Sequence, residues 1–556
     1  MTPLAGGWHE LFQENVPVGT RYRFQLPNGL RVPDPASRFQ PEDVHGPSEL
    51  VDTSSWEWND AGWPGRPWHE TVIYELHIGT FTTEGTFQAA AGRLDYLADL
   101  GVTAIQLMPV ADFYGGRNWG YDGVLPYAPD STYGRPEDLK ALVEAAHARG
   151  LMVFLDVVYN HFGPEGNYLS VYAPEFFSRR YQTPWGDAIN FESPAVREFF
   201  IQNALYWVRE FHLDGLRLDA VHAILDDSTV HVLTELAKRV RRAFPERHVH
   251  LMLENGENHA HLLERDGSGR PALYTAQWND DVHHVLHTAV TGEDHGYYRE
   301  YYRDTGKLGR ALAEGFAFQG EMMTYGGRAR GSRSSHLEPT AFISFLQNHD
   351  QVGNRAFGDR LHATTSPERI KAAAATYLLL PQIPLLFMGE EWGASTCFSF
   401  FCDFDPVLGE AVRVGRRLEF AGFPEFQEEA QRERIPDPQA EATFESSKLR
   451  WAELRDPAHL DLLEWYRRIL RCRRERIIPL LTHIESGGTF ETLAPGAVRV
   501  SWAVGRSGSL VLVANLSGAA VSGLVAPTAA LLWAEGGAGA TGSVLPPWSV
   551  GWWTDR

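Results

Sequence analysis

The sequence is poor in cysteine, in positive charge and in long uninterrupted apolar runs, and each shortage closes off a class of protein. Only Cys397, Cys402 and Cys472 occur in 556 residues. They form no metal-type CxxC pair, which excludes a disulfide scaffold and fits a reducing compartment. Lys and Arg total 50 against 71 Asp and Glu, a formal net charge of -21. Such a chain does not suit nucleic acid or an anionic membrane surface, both of which require clustered Lys and Arg. The longest apolar stretches, such as TYLLLPQIPLLFMG, contain proline and fall short of a membrane span. The opening MTPLAGGWHE has neither a basic end nor an apolar run, so no secretory signal is expected and the expected location is cytoplasmic. Low-complexity tracts and short internal repeats are also lacking.

What is present is length, a normal 44% hydrophobic content and many aromatic residues. A chain of this size calls for two or three domains. Seventeen Trp and twenty Tyr include several clustered with Gly, as in NWGYDG, TPWGD and AQWND. Flat rings with a polar edge can stack on sugar faces, although most Trp side chains in any protein belong to the core.

Short apolar runs alternate with helical patterns. VIYELHIGTF, TAIQLMPV, MVFLDVV, DGLRLDA, VHLMLEN, LYTAQW, AFISFLQNHD and PLLFMGEE are strand-like, and each is expected to lead into a helical stretch. Near-continuous apolar strands in βα order imply a parallel sheet covered by helices. Eight units predict a (β/α)8 TIM barrel over 69–478, with an open doubly wound sheet as the alternative. Residues 159–193 are expected to form a loop insertion, and 393–460 a second one with a solvated charged run. Residues 1–68, with TRYRFQL and a PNG turn, predict an N-terminal β-domain. Residues 479–556, alternating AVRVSWAV, SLVLVANLS and AALLWAE with Gly/Ser turns, predict a C-terminal antiparallel β-domain.

Charged residues sit where the strands end. In a TIM barrel, catalytic groups project from the C-terminal strand ends at one face. Asp156, Asn160 and His161 end strand three; Arg217, Asp219 and His222 end strand four. Glu254 ends strand five, and Asn348, His349 and Asp350 end strand seven. Any one could be a structural ion pair, but four polar strand ends at one mouth point to chemistry. Carboxylates with an Arg and His residues suit glycoside hydrolysis, which needs one carboxylate to attack and one carboxylic acid to protonate the leaving oxygen. Asp219 and Glu254, on adjacent strands, are the natural pair. Arg217, two residues before Asp219 and on the same face, is expected to hold Asp219 ionised, while Glu254 is expected to stay protonated near neutral pH. Asp350 is left to bind substrate hydroxyls.

DVVYNH, GLRLDAVH, the Glu of LMLEN and QNHD resemble, in order and position, the four signature regions of the α-amylase family of glycoside hydrolases. The resemblance implies Asp219 as nucleophile, Glu254 as general acid/base and Asp350 as transition-state stabiliser. It also implies substrate contacts from Tyr121, His161, Arg217 and His349 around the sugar, with Asp122 and Asp156 orienting the site. Further stretches, among them VPDPASRFQPEDVHGPSELVD, RNWGYDGVLPYAPDSTYG and IPDPQAEATFESSKLRW, are similar to the maltooligosyltrehalose trehalohydrolases. That family hydrolyses the α-1,4 bond beside a terminal trehalose, acts after a maltooligosyltrehalose synthase, and implies no metal or cofactor.

Two departures accompany the resemblance. The chain opens near WHELFQENVPVGTRYRF, where the family has a longer β-sandwich, so a shortened N-terminal sandwich is expected. The basic residue usual after an amylase nucleophile is replaced in AVH, which suits the trehalohydrolases. The competing readings are a branching enzyme or neopullulanase-type amylase, a non-catalytic glucan-binding barrel, and a zinc site built from His283 and His287 at i, i+4 spacing. Trp119 and Trp185 are candidate rim-stacking residues.

Overall fold

The computed structural model describes residues 1–4, 8–523, 527–538 and 543–555. The eight expected runs are the strands of one closed barrel: β1 (Ile73–Leu76), β2 (Ala104–Leu107), β3 (Met152–Val157), β4 (Gly215–Leu218), β5 (His250–Leu253), β6 (Ala276–Trp278), β7 (Phe342–Phe345) and β8 (Ile383–Phe387). They pair in parallel in chain order, and β8 closes onto β1.

Side chains alternate across a strand, so each strand offers one row to the surrounding helices and one to the barrel axis. Tyr74, Ile105, Val153, Leu216, Leu218 and Leu251 face outward into the large core. Ile73, Met152, Phe154, Met252, Ile343 and Ile383 belong to a separate cluster inside the barrel. Two residues further along the same inward rows come Glu75, Asp156, Arg217 and Glu254. The barrel axis is therefore apolar below and charged at the C-terminal mouth, and the register sets Asp156 directly opposite Arg217.

Helices Pro136–His147, Pro194–Glu210 and Val232–Ala243 follow β2, β3 and β4, and Asp280–Thr291 and Pro367–Leu379 follow β6 and β7. The expected helix after β1 is broken into Phe87–Ala91 and Leu94–Leu100. Unit five departs from the expected pattern. Only a 3-10 turn, Ala260–Leu263, lies between β5 and β6. The stretch ERDGSGRP carries turn residues instead of an apolar helical period. Arg265 ties this loop down by donating to the carbonyls of Leu263, Tyr274 and Thr275.

The insertion after β3 holds a short helix, Leu169–Tyr172, and a hairpin of Phe177–Thr183 with Gly186–Ile189 whose turn carries Trp185. Near the N-terminus, the described residues form three two-stranded ladders of two residues per strand. Trp63 Nε1 donates to Asp214 at 2.8 Å and Trp68 Nε1 to the Thr340 carbonyl at 2.7 Å. Both rings pack on the interior cluster, so this segment closes the barrel at the end away from the charges. The C-terminal region is a five-stranded antiparallel sheet in the order Thr489–Ala494, Ala497–Val504, Gly508–Asn515, Ser549–Thr554, Ala530–Glu535. Trp552 stacks on Trp502 and donates to the Ala375 carbonyl at 2.9 Å, which seats the sheet on helix Pro367–Leu379. Among the described residues, no helix is long and apolar enough to cross a membrane.

Candidate active site

Arg217 organises the barrel mouth. Its side chain is fully buried, and a buried guanidinium needs its charge and donors met by the groups around it, which here are carboxylates. Nη1 donates to Asp156 at 2.7 and 2.9 Å and to Asp219 Oδ1 at 2.9 Å. Nη2 donates to Glu254 Oε2 at 2.7 Å, and the guanidinium lies 4.2 Å from the centre of the Trp278 ring. One cation thus gathers carboxylates from β3 and from the ends of β4 and β5. The backbone adds a second clamp. Ala220 sits at φ 38°, a left-handed conformation that costs a residue with a side chain about 1–3 kcal/mol. In that conformation its N–H donates to Glu254 Oε2 at 3.0 Å. That hydrogen bond helps hold Glu254 beside Asp219.

Across the mouth, His349 begins the short helix His349–Gly353 after β7. Its Nδ1–H donates to Glu75 Oε1 at 2.6 Å and its backbone N–H to Glu75 Oε2 at 3.0 Å. Nε2 lies 3.5 Å from Asp350 Oδ1. The Tyr121 ring stacks on His349 at 5.0 Å, and its hydroxyl donates to Asp156 at 2.7 Å.

These groups border a cleft of about 660 Å³ whose walls include Tyr121, His161, Asp219, Glu254, His349 and Asp350. Side-chain exposure rises from 11% at Asp219 to 21% at Glu254 and 35% at Asp350, so all three are reachable from the cleft. One expected substrate contact, Arg217, and one residue expected to orient the site, Asp122, lie off the cleft wall. Arg217 is sealed beneath the carboxylates and does not line the cleft, so it acts through them. Asp122 is also absent from the wall and accepts from Asn118 Nδ2 at 2.7 Å. His161 does line the cleft, with Nε2 on the Tyr121 carbonyl at 3.0 Å, and burial pulls its pKa down to about 4, leaving it neutral. Of the two rim candidates, Trp185 is half-exposed and stacks on His161 at 4.6 Å. Trp119 is instead buried, stacked on Phe398 and bonded to the Ser399 carbonyl, a wall rather than a rim. The His283/His287 pair is engaged in hydrogen bonds: His283 with the Leu346 carbonyl and the Tyr298 hydroxyl, His287 with Glu293. That bonding occupies both ring nitrogens of His283 and Nε2 of His287.

Two further acidic groups at the mouth, Glu75 and Asp280, are not among the expected site residues. Glu75 carried the same signal as Arg217, a charge inside the apolar run VIYELHIG. Asp280 lines the cleft from the helix after β6, where burial first and Glu254 second raise it to about 7.

The proton order of the central pair differs from expectation. Burial and the Glu254 charge push Asp219 well above the usual carboxylate range, against the pull of Arg217. Burial also acts upward on Glu254, but Arg217 and the Ala220 N–H outweigh it and hold Glu254 below its ordinary value. The physical reason is that both of these donors converge on one oxygen of Glu254, whereas Asp219 receives a single arm of a guanidinium shared with Asp156. Close carboxylates titrate as a pair, so the proton belongs to the two together and moves between them. Asp156 rises to about 6 by burial, with Arg217 and His349 opposing.

Residues 47–182 match the family model "Alpha amylase, catalytic domain", and residues 485–552 match "Domain of unknown function (DUF3459)". With a closed parallel barrel carrying carboxylates at its C-terminal mouth, these findings define a glycoside hydrolase of the α-amylase class. A malto-oligosyltrehalose trehalohydrolase from Deinococcus radiodurans is 47% identical over 85% of this chain and 77% of its own. A 1.4 Å crystal structure of a Salmonella typhimurium protein assigned to the alpha amylases superposes with a TM-score of 0.93 at 47% identity, covering 97% of this chain and 91% of that one. A 1,4-alpha-glucan branching enzyme from Aliivibrio fischeri is 36% identical, but over only 40% of this chain and 35% of its own. The chain belongs to the malto-oligosyltrehalose trehalohydrolase family.

Proposed function

We propose that the protein hydrolyses the α-1,4-glucosidic bond next to the terminal trehalose of maltooligosyltrehalose, with retention, releasing free trehalose and a shortened maltooligosaccharide. The observation that carries the chemistry is the single guanidinium of Arg217 holding Asp219 and Glu254 on neighbouring strand ends at one cleft. In this reading, Asp219 Oδ attacks the anomeric carbon as the proton of the pair passes from Glu254 to the glycosidic oxygen. The C–O bond to trehalose breaks and an ester to Asp219 forms. Water then attacks the same carbon, gives its proton to Glu254 and frees Asp219. Asp350 and cationic His349 hold sugar hydroxyls, and Tyr121 stacks beneath the ring.

The trehalose-bearing substrate is supported by the name of the Deinococcus relative and by its coverage of most of both chains. A synthase that converts the reducing end of the glucan to trehalose would act upstream, in the cytoplasm, with no nucleic acid or membrane partner. A branching-enzyme or neopullulanase reading is weaker, because the branching-enzyme likeness stops at a minority of the chain. Incubation with maltotriosyltrehalose beside maltopentaose tests the choice. Preferential release of trehalose is expected; equal cleavage of the two substrates, or new α-1,6 bonds, would replace this reading with one of its rivals.

A further inference from the structure

Glu75 has no part in the scheme above, although it is fully buried at the end of β1 and grips a cleft residue with both oxygens. Its contacts are specific. One oxygen takes the backbone N–H of His349 and the other takes the ring Nδ1–H, across 274 residues of sequence. A neutral imidazole has one donor and one acceptor nitrogen. With Nδ1–H committed to Glu75, a neutral His349 would present a bare acceptor nitrogen to the cleft. Only the imidazolium can donate from both nitrogens.

We infer that Glu75 is a positioning residue for hydrolysis, fixing His349 as a two-armed donor whose Nε2–H points to Asp350 and to the sugar hydroxyl beside it. The inference rests on the glycosidase reading and adds to it a residue that never touches substrate. The surrounding charges suit the role. Asp350 on the same helix and Glu75 on β1 favour the cation, Arg217 on β4 opposes it, and Asp156 on β3 and His77 after β1 lie within electrostatic reach. Burial would by itself keep the ring neutral, yet the two carboxylates lift His349 to about 9. His349 therefore stays charged through neutral pH, and the donor at Nε2 is lost only in alkali.

The test is the pH dependence of kcat/KM on maltotriosyltrehalose for the wild-type chain, Glu75→Gln and Glu75→Asp, with thermal midpoints measured in the same buffers. In Glu75→Gln, the alkaline limb is expected to move down by about two pH units or more, towards the ordinary imidazole range, with at least a tenfold loss in kcat/KM at pH 8. Glu75→Asp keeps the charge and should keep the limb, while its shorter side chain loosens the grip on His349 and lowers kcat/KM. A lowered midpoint with an unmoved limb in Glu75→Gln would show that Glu75 merely packs, and would overturn the inference. If Glu75→Gln does not fold, Glu75→Asp is compared with His349→Gln and the double variant. Loss in the Glu75→Asp single variant, with none beyond His349→Gln in the double, is expected; additive losses would overturn it. Should the wild type cleave no α-glucan, the glycosidase reading is what fails, and the thermal data still decide the geometry. A ring that titrates higher when folded stabilises fully below pH 6.5 and ceases to do so above about 9. Glu75→Gln should flatten that decline, and an unchanged decline would count against the clasp.

Discussion

Two buried acidic groups stand at the barrel's strand ends, and they have opposite designs. Just past the end of β8, Glu390 and Glu391 are both fully buried and accept from tyrosine hydroxyls, with no cation paired to either among the described residues: Tyr377 and Tyr466 on Glu390, Tyr74 and Tyr96 on Glu391. Burial lifts both to about 7, with those hydroxyls opposing. At β4 and β5, Asp219 and Glu254 share a fully charged guanidinium and open onto the cleft. A carboxyl raised by burial is thus no sign of catalysis here. A proton shared under an Arg, at a wall that substrate can reach, is the distinguishing feature.

The comparison predicts a graded set of losses. Asp219→Asn removes the attacking oxygen and should lower kcat by about 10⁴-fold or more with the fold intact, read by steady-state turnover and circular dichroism. Turnover within tenfold of wild type would move the chemistry away from the Arg217 clasp. Glu254→Gln removes the transferable proton and should cost about 10²–10⁴-fold, least for substrates with a good leaving group. If an activated aryl maltoside suffers as much as the natural substrate, Glu254 is not the acid. Trp185→Ala strips only a stacking face beside His161, so KM should rise by roughly threefold to tenfold while kcat holds. A fall in kcat at constant KM would contradict a rim role.

The sealed pair should respond in stability alone. Its protons are bound more tightly in the folded chain, so stability is full below about pH 4.5 and declines as pH climbs towards 7. Glu390→Gln should leave turnover within about twofold and weaken that decline, a gain of roughly 1–3 kcal/mol at pH 8 relative to pH 4.5 in denaturant unfolding. Lost turnover in this variant would erase the distinction between the two groups.

Much of this was legible before any fold was visible. Strands buried on both faces read as short apolar runs, so all eight barrel strands announced themselves. Charges at their ends stood out because a buried strand otherwise excludes them. The missing helix after β5 was less visible, since HAHLLERD has helical composition and the following DGSGRP breaks it only in context. Asp122 adjoins Tyr121 in NWGYDG, yet only Tyr121 reaches the cleft wall, because neighbours in a loop need not face the same way.

By itself, then, the sequence determined the barrel, through the spacing of its apolar runs, and the identities of the strand-end carboxylates. Hydrophobic patterning is local, and a single strand already carries it. Tertiary structure alone decided that Arg217 lies beneath the carboxylates, that Asp219 and not Glu254 is lifted, and that Glu75 holds His349. Each of these depends on distances between strands far apart in the chain, and electrostatic coupling depends on distance in space and on local solvation, neither of which a string of residues contains.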